Sequence, residues 1–322
     1  MSDKKRLLVL DQLNLFFRSY IVDPSMSLNG HPIGGLKGSI KTLQKLINDF
    51  KPDRVIVCWD GPNGSLKRRQ INKNYKLGRK PLRLNRSVRE MTEEEEKNNK
   101  LWQQTRLIEY YNSMPVMQFM YENIEADDII SYVKSMNFHS GWQKIIVSSD
   151  KDFYQLLDNE TILYRPVQKT ILNKNNIIDE FKIHPRNFAL ARSLAGDKSD
   201  NIIGLSGVGL KSISKRFPFL LEDKDYGIDD LVEYSKSSEK ELKIFSEVID
   251  NSDRLKENYK ITQLYSPYIS AQTKSKIQET CENADLSFNA TEIKKMMFED
   301  GFGDINWSML FQNLNRLSLN NS

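Results

Sequence analysis

Short apolar runs closed by an acidic residue punctuate the first half of the chain. They are RLLVLD at 6–11, RVIVCWD at 54–60 and KIIVSS at 144–149, the last followed by Asp150. Runs of this length, rich in Leu, Ile and Val and bounded by turn residues, predict strands buried on both faces. Between them, apolar positions recur at helical spacing near 13–21, across 36–50 before Pro52, and across 92–113. Thr92 and Glu95 supply a capping box for the third of these. Residues 115–121 (PVMQFMY) predict a short strand, and a helix is expected to start near Glu125 or Ala126. DFYQLL predicts a further helix, and ILYRPV with KTILNK a hairpin.

From about residue 175 the strand signals fade. A helix near 185–195 leads into GDKSDNIIGLSGVGLKSISKRF, and the chain beyond 228 reads as helices with polar connections. Strands alternating with helices predict an α/β fold with a central, mainly parallel sheet and helices on both faces. A helical C-terminal region should follow. The expected division is 1–180 and 181–322. Trp307, Met309, Leu310 and Phe311 read as one packed helix, with a docking surface as the alternative.

Composition narrows the classes. The chain has 322 residues, 39% of them hydrophobic, and no stretch approaches the roughly 18 apolar residues of a membrane span. Its start, MSDKKRLLVLD, has no signal-peptide pattern, so a soluble, cytoplasmic monomer without a membrane partner is expected. Cys58 and Cys281 lie far apart, and His31, His139 and His184 are equally dispersed. That spacing excludes zinc and iron–sulfur motifs and leaves buried thiols. Any metal must be hard and oxygen-bound, magnesium or manganese.

Nine carboxylates provide such oxygens: Asp11, Asp60, Glu125, Asp127, Asp128, Asp150, Asp152, Asp197 and Asp200. Most follow predicted strands, and an open α/β sheet works at the carboxyl ends of its strands. Two unit charges about 4 Å apart repel by roughly 4 kcal/mol at an effective dielectric near 20. Several acids in one cleft therefore call for cations. Single acids after strands are also ordinary helix caps; the recurrence at nearly every strand end favours a shared metal site.

The net charge of +4 hides a segregation. Residues 61–89 contain Lys67, Arg68, Arg69, Lys73, Lys76, Arg79, Lys80, Arg83, Arg86 and Arg89, and neither Asp nor Glu. A basic segment beside an acidic cleft suits a polyanion, although a solvated surface loop has the same composition. The GxxGxG of Gly204, Gly207 and Gly209, followed by Lys211 and Lys215, reads as a grip on a phosphate backbone or as a plain inter-helix turn. No GK[ST] closes it as a Walker loop. Gly34, Gly35 and Gly38 around Lys37 read as a helix start, with Lys37 on a phosphate as the alternative. The pairs Phe16-Phe17 and Tyr110-Tyr111 read as core.

The order VLDxxNLFFRSY, VIVCWDGP, NYKLGRK, EADDII, SSDKDFYQLL and GDKSDNIIGLSGVG resembles the 5′-nuclease superfamily across about residues 5–216. Its members include flap endonucleases and the 5′–3′ exonuclease domains of bacterial DNA polymerases. The stretch ENYKITQLYSPYIS and the helices after it are more similar to phage ribonuclease H, which removes RNA primers during lagging-strand synthesis. The resemblance implies a PIN-like fold with a helix-three-turn-helix DNA-binding motif, and a basic helical arch at about 62–92 that orders on DNA. It implies that the nine acids hold two magnesium ions, with manganese as substitute, and that potassium sits at the helix-three-turn-helix loop. Lys76 and Arg79 would touch the scissile phosphate, while Arg68 and Arg69 bind neighbouring phosphates. The substrate would be DNA or RNA/DNA duplex with a 5′ end or flap. A single-strand-binding protein or sliding clamp would be the partner, in an infected bacterial cytoplasm. The rivals are a non-catalytic nucleic-acid-binding scaffold on the same fold and a PIN-type ribonuclease.

Overall fold

The computed structural model describes residues 4–79, 83–84, 91–240, 242–284, 286–303 and 306–319. A sheet of six strands organises the molecule: β1 (Arg6–Asp11), β2 (Arg54–Cys58), β3 (Met117–Phe119), β4 (Gln143–Val147), β5 (Thr161–Arg165) and β6 (Thr170–Leu172). Their order is β3-β2-β1-β4-β5-β6, parallel except where β6 turns back antiparallel on β5. The chain passes outward from β1 in both directions, so the break in strand order lies between β1 and β4. That is where open α/β sheets place their crevice.

Helices cover both faces. They are α1 (Gln12–Val22), α2 (Gly34–Phe50), α3 (Leu66–Ile71), α4 (Glu93–Asn112), α5 (Ala126–Ser135), α6 (Lys174–Phe181) and α7 (Phe188–Ala195). Then follow α8 (Leu210–Arg216), α9 (Ile228–Ser237), α10 (Lys243–Asp250), α11 (Ser252–Thr262), α12 (Ala271–Asn283), α13 (Ala290–Glu299) and α14 (Trp307–Leu319). Successive residues of a strand face opposite ways, and β1 shows the consequence. Leu7 and Val9 join Ile129, Ile130 and Val133 of α5 and Phe188, Leu190 and Leu194 of α7 in one apolar cluster. Leu8 and Leu10 join Phe16 of α1, Leu36 and Ile40 of α2, and Leu310 and Leu314 of α14 in the other. The first cluster draws on residues either side of position 180. Burying one such side chain is worth roughly 1.5–3 kcal/mol, enough for β1 to fix its neighbours' register.

The capping box at α4 forms as the sequence predicts: Thr92 Oγ1 accepts the Glu95 N–H at 3.2 Å, and the Glu95 carboxylate accepts the Thr92 N–H at 2.8 Å. Phe16, Tyr110 and Tyr111 are core, while Phe17 is half-buried. DFYQLL departs from expectation. Asp152–Leu156 is a 3₁₀ turn rather than an α-helix, the tighter geometry that short helical pieces adopt. Among the described residues, no helix is long and apolar enough to cross a membrane.

A candidate active site at the strand ends

β1 delivers Asp11 to the end of the sheet, level with Cys58 of β2. The Asp11 carboxylate caps α1 by accepting the Asn14 N–H at 3.4 Å, and it accepts Ser148 Oγ–H at 2.7 Å from just past β4. Two residues on, the Asp150 N–H donates back to Ser148 Oγ at 3.0 Å. Asp60 follows β2 and reaches across to α5, where its Oδ1 accepts the Ala126 N–H at 2.7 Å. Asp127 occupies the first turn of α5. Four carboxylates from four chain segments thus line one cleft of about 560 Å³, together with Asn14, Phe17, Arg18, Lys76 and Arg79.

Asp11 and Asp127 sense their acidic neighbours. Burial first, then Asp60 and Asp150, push the Asp11 carboxyl up to about 7, against the opposing Ser148 hydrogen bond. Burial, Asp150 and Asp11 push Asp127 well above the usual carboxylate range. Asp60 is raised by desolvation, against the pull of the Ala126 N–H and of Lys76, with Glu125 adding to the rise. None of the four forms an ion pair among the described residues.

The other five acids are paired. Arg68 is only 3% exposed; its Nη1 lies 2.5 Å from Glu125 and 2.7 Å from Asp128, and its Nε donates to the Ile261 carbonyl at 2.9 Å. Asp128 also accepts the Tyr268 N–H at 3.0 Å. On its other side Glu125 accepts Lys76 Nζ–H at 2.5 Å. The two cations hold the Glu125 carboxyl below its ordinary range despite burial. Burial alone would push the Lys76 ammonium down, but Tyr75, Glu125 and Asp127 hold it above its usual value. Arg192 bridges Asp152 at 2.9 Å and Asp197 at 2.5 Å. Even so, burial and Asp150 raise Asp152 to about 6. Arg79 pairs with Asp200.

Several expectations change. Arg68 is spent inside the protein on Glu125 and Asp128 and presents no face to a phosphate. Gly204 serves packing rather than phosphate access, since a Cβ there would lie 2.3 Å from the Ala195 carbonyl carbon. Gly207, at φ +67°, and Gly209 do open to solvent, and Lys211 and Lys215 are exposed beyond them. Lys37 is half-buried with its ammonium 6.0 Å from the centre of the Phe302 ring. Arg69 is exposed and donates to the Tyr75 carbonyl at 3.2 Å. Over 66–79, part of the expected arch, Arg68, Tyr75 and Lys76 hydrogen-bond to Ile261 and Glu125. Lys80, Arg86 and Arg89 lie outside the described residues. Arg192, Ser148 and Asn201 went unnoticed in the sequence, where a lone arginine, serine or asparagine carries no signal of its partners.

Among the described residues, no three acidic, histidine or cysteine side chains already enclose a metal-sized space. The cleft acids nevertheless fit a hard cation in kind: every donor is oxygen, and the nearby Lys76 does not offset the burial and repulsion that raise Asp11 and Asp127.

Residues 6–182 match the family model for the N-terminal, resolvase-like domain of 5′-3′ exonucleases. The chain is 28% identical over 213 residues to the 5′-3′ exonuclease of Aquifex aeolicus, covering 65% of this chain and 67% of that one. It is also 28% identical over 208 residues to the flap endonuclease Xni of Shewanella piezotolerans, covering 64% and 74%. DNA polymerase I of Bacillus subtilis matches at 26% over 221 residues, 67% of this chain but 23% of the polymerase. In fold it is similar to a bacteriophage T5 flap endonuclease in a pseudo-enzyme–product complex with DNA and metal ions. There the TM-score is 0.68 and the identity 18%, with 91% of this chain and 99% of that chain covered.

Proposed function

Because this chain belongs to the 5′–3′ exonuclease family, we propose that the cleft of Asp11, Asp60, Asp127 and Asp150 is where it hydrolyses phosphodiesters. The chain is a structure-specific 5′ nuclease. The observation that carries the assignment is the division of its acids. Four share a cleft and form no ion pair among the described residues, while Glu125, Asp128, Asp152, Asp197 and Asp200 are paired with Arg68, Lys76, Arg192 and Arg79.

Oxygen donors favour magnesium, with manganese as substitute. Asp11, Asp60, Asp127 and Asp150 would hold the ions, joined by Asp152, Asp197 and Asp200 where Arg192 and Arg79 release them. Two bound ions would neutralise the cleft, acidify a water to serve as nucleophile and clamp the attacking and leaving oxygens. Lys76 and Arg79, which line the same cleft, meet the scissile phosphate and stabilise its developing charge. Phe17 and Arg18 border the same space. The substrate class is a 5′ end on duplex, including an RNA primer on DNA, with the products a 5′-phosphate and a 3′-hydroxyl. Lys211 and Lys215 hold duplex phosphates without reading bases, and Gly207 and Gly209 let the backbone approach. Potassium in the 202–209 loop and a single-strand-binding protein or sliding clamp as partner belong to the same reading. So does the division at 180, with most of the metal-holding acids before it and Asp197, Asp200 and the duplex grip after it.

Magnesium-dependent release of a 5′ label from flap, nicked and RNA–DNA duplexes tests this. Undiminished cleavage in excess chelator, or wild-type turnover by Asp150→Asn, would remove the assignment.

A further inference from the structure

The segment that carries Lys76 and Arg79 rests on the loop that carries Asp197 and Asp200, and one side chain makes two of the hydrogen bonds in that joint. Asn201, itself in the left-handed region at φ +57°, donates from Nδ2 to the Asn74 carbonyl at 2.9 Å and to the Leu77 carbonyl at 2.7 Å. These two carbonyls flank Lys76, which also takes a left-handed backbone at φ +55°. A non-glycine residue there is held by its surroundings at a cost of order 1 kcal/mol or more. Around the clamp, the Lys76 N–H donates to the Asp200 carbonyl at 3.1 Å and Arg79 Nε to the Ser199 carbonyl at 3.1 Å. Beneath it, Tyr75 packs with Ile202 and Ile261.

We propose that Asn201 is a positioning residue for cleavage: its two-pronged amide clamp sets the Lys76 backbone, and so the ammonium, at the carboxylate cleft. This deepens the proposed function and rests on the role given there to Lys76. The amide can do this because both its N–H bonds point to carbonyls on either side of one residue. No carboxylate or hydroxyl in its place supplies two donors. The loop leads directly into Gly207, Gly209 and Lys211, so the element proposed to grip duplex is continuous with the one that places the cation.

The test is a double-mutant cycle in single-turnover cleavage of a 5′-flap duplex with magnesium, using Asn201→Gly, Lys76→Gln and both together. Glycine keeps the left-handed backbone and removes only the amide. Asn201→Gly is expected to slow cleavage about tenfold, some 1.4 kcal/mol in the barrier. Its duplex affinity in calcium and its thermal midpoint should stay near wild type. In the Lys76→Gln background the same change should have no further effect. Asn201→Asp, similar in shape but turning an oxygen towards both carbonyls, should be slower than Asn201→Gly. A wild-type rate in Asn201→Gly, or a double mutant whose losses multiply, would overturn the coupling. A wild-type rate in Lys76→Gln would instead overturn the role of Lys76, and the two failures are distinct.

Discussion

Arg68 and Asp128 form a buried two-pronged ion pair, Nη1 to Oδ2 at 2.7 Å and Nη2 to Oδ1 at 3.2 Å. Side chains 60 residues apart in sequence are thereby joined where α3 meets the first turn of α5. Because Glu125 shares the same guanidinium, the arginine fixes the helix that presents Asp127 to the cleft.

Arg68→Met should consequently act on stability before it acts on nucleic-acid binding. Removing one partner of a buried pair leaves the other charge uncompensated, at a cost of about 3–5 kcal/mol. Urea unfolding should show that loss. A variant with unaltered stability but weakened, less salt-sensitive DNA affinity would return Arg68 to the phosphate-contact role.

Asp11→Asn should stabilise the metal-free protein while abolishing cleavage. The Asp11 carboxyl is raised to about 7, so above neutral pH its charge is disfavoured in the folded state and tolerated in the unfolded one. Deleting that charge should add on the order of 2 kcal/mol at pH 8 in chelator. Asparagine can still accept the Ser148 hydrogen bond. Chemical denaturation reads the sign directly, and a lower stability than wild type would contradict it.

Divalent cations should reverse the order of those two proteins. A ligand bound only by the folded state adds RT ln(1 + [L]/Kd), about 2.7 kcal/mol at a hundredfold excess over Kd. Wild type should gain that in manganese, and Asp11→Asn or Asp150→Asn much less. Equal thermal shifts in all three would place the ions elsewhere.

His139 should impose an acid limb on stability. It is fully buried, its Nδ1 lies 3.3 Å from the Val133 carbonyl, and burial lowers its imidazole pKa to about 4. The unfolded chain binds the proton near the ordinary 6.5, so between those values it holds more protons than the folded one. Stability is then unaffected above about pH 6.5 and falls as pH drops towards 4, by up to roughly 3 kcal/mol. Urea midpoints across that range should flatten in His139→Gln; an unchanged slope would assign the limb to other groups.

The strands were legible because parallel strands buried on both faces leave continuous apolar runs, as in RLLVLD, and because each acid that followed one reached the same edge of the sheet. Thr92 and Glu95 were legible as a local pair whose physics depends on nothing distant. The roles of Arg68 and Gly204 were not. Arg68 sits among basic neighbours that look like a solvated patch, and its partners lie 57 and 60 residues away. Gly204 matched a phosphate-loop spacing, yet its small size answers to the backbone of Ala195. The sequence shows that acids are placed at strand ends. It does not show which of them Arg192 and Arg79 will neutralise.

β1 sorts Leu7 and Val9 into one core and Leu8 and Leu10 into the other, with Asp11 closing the strand. Adding or deleting a single residue within it would exchange the two cores and carry Asp11 off its level with Cys58 and Ser148. Length changes therefore belong to the surface connections, such as 223–227, and the six-residue span of β1 is closed to them.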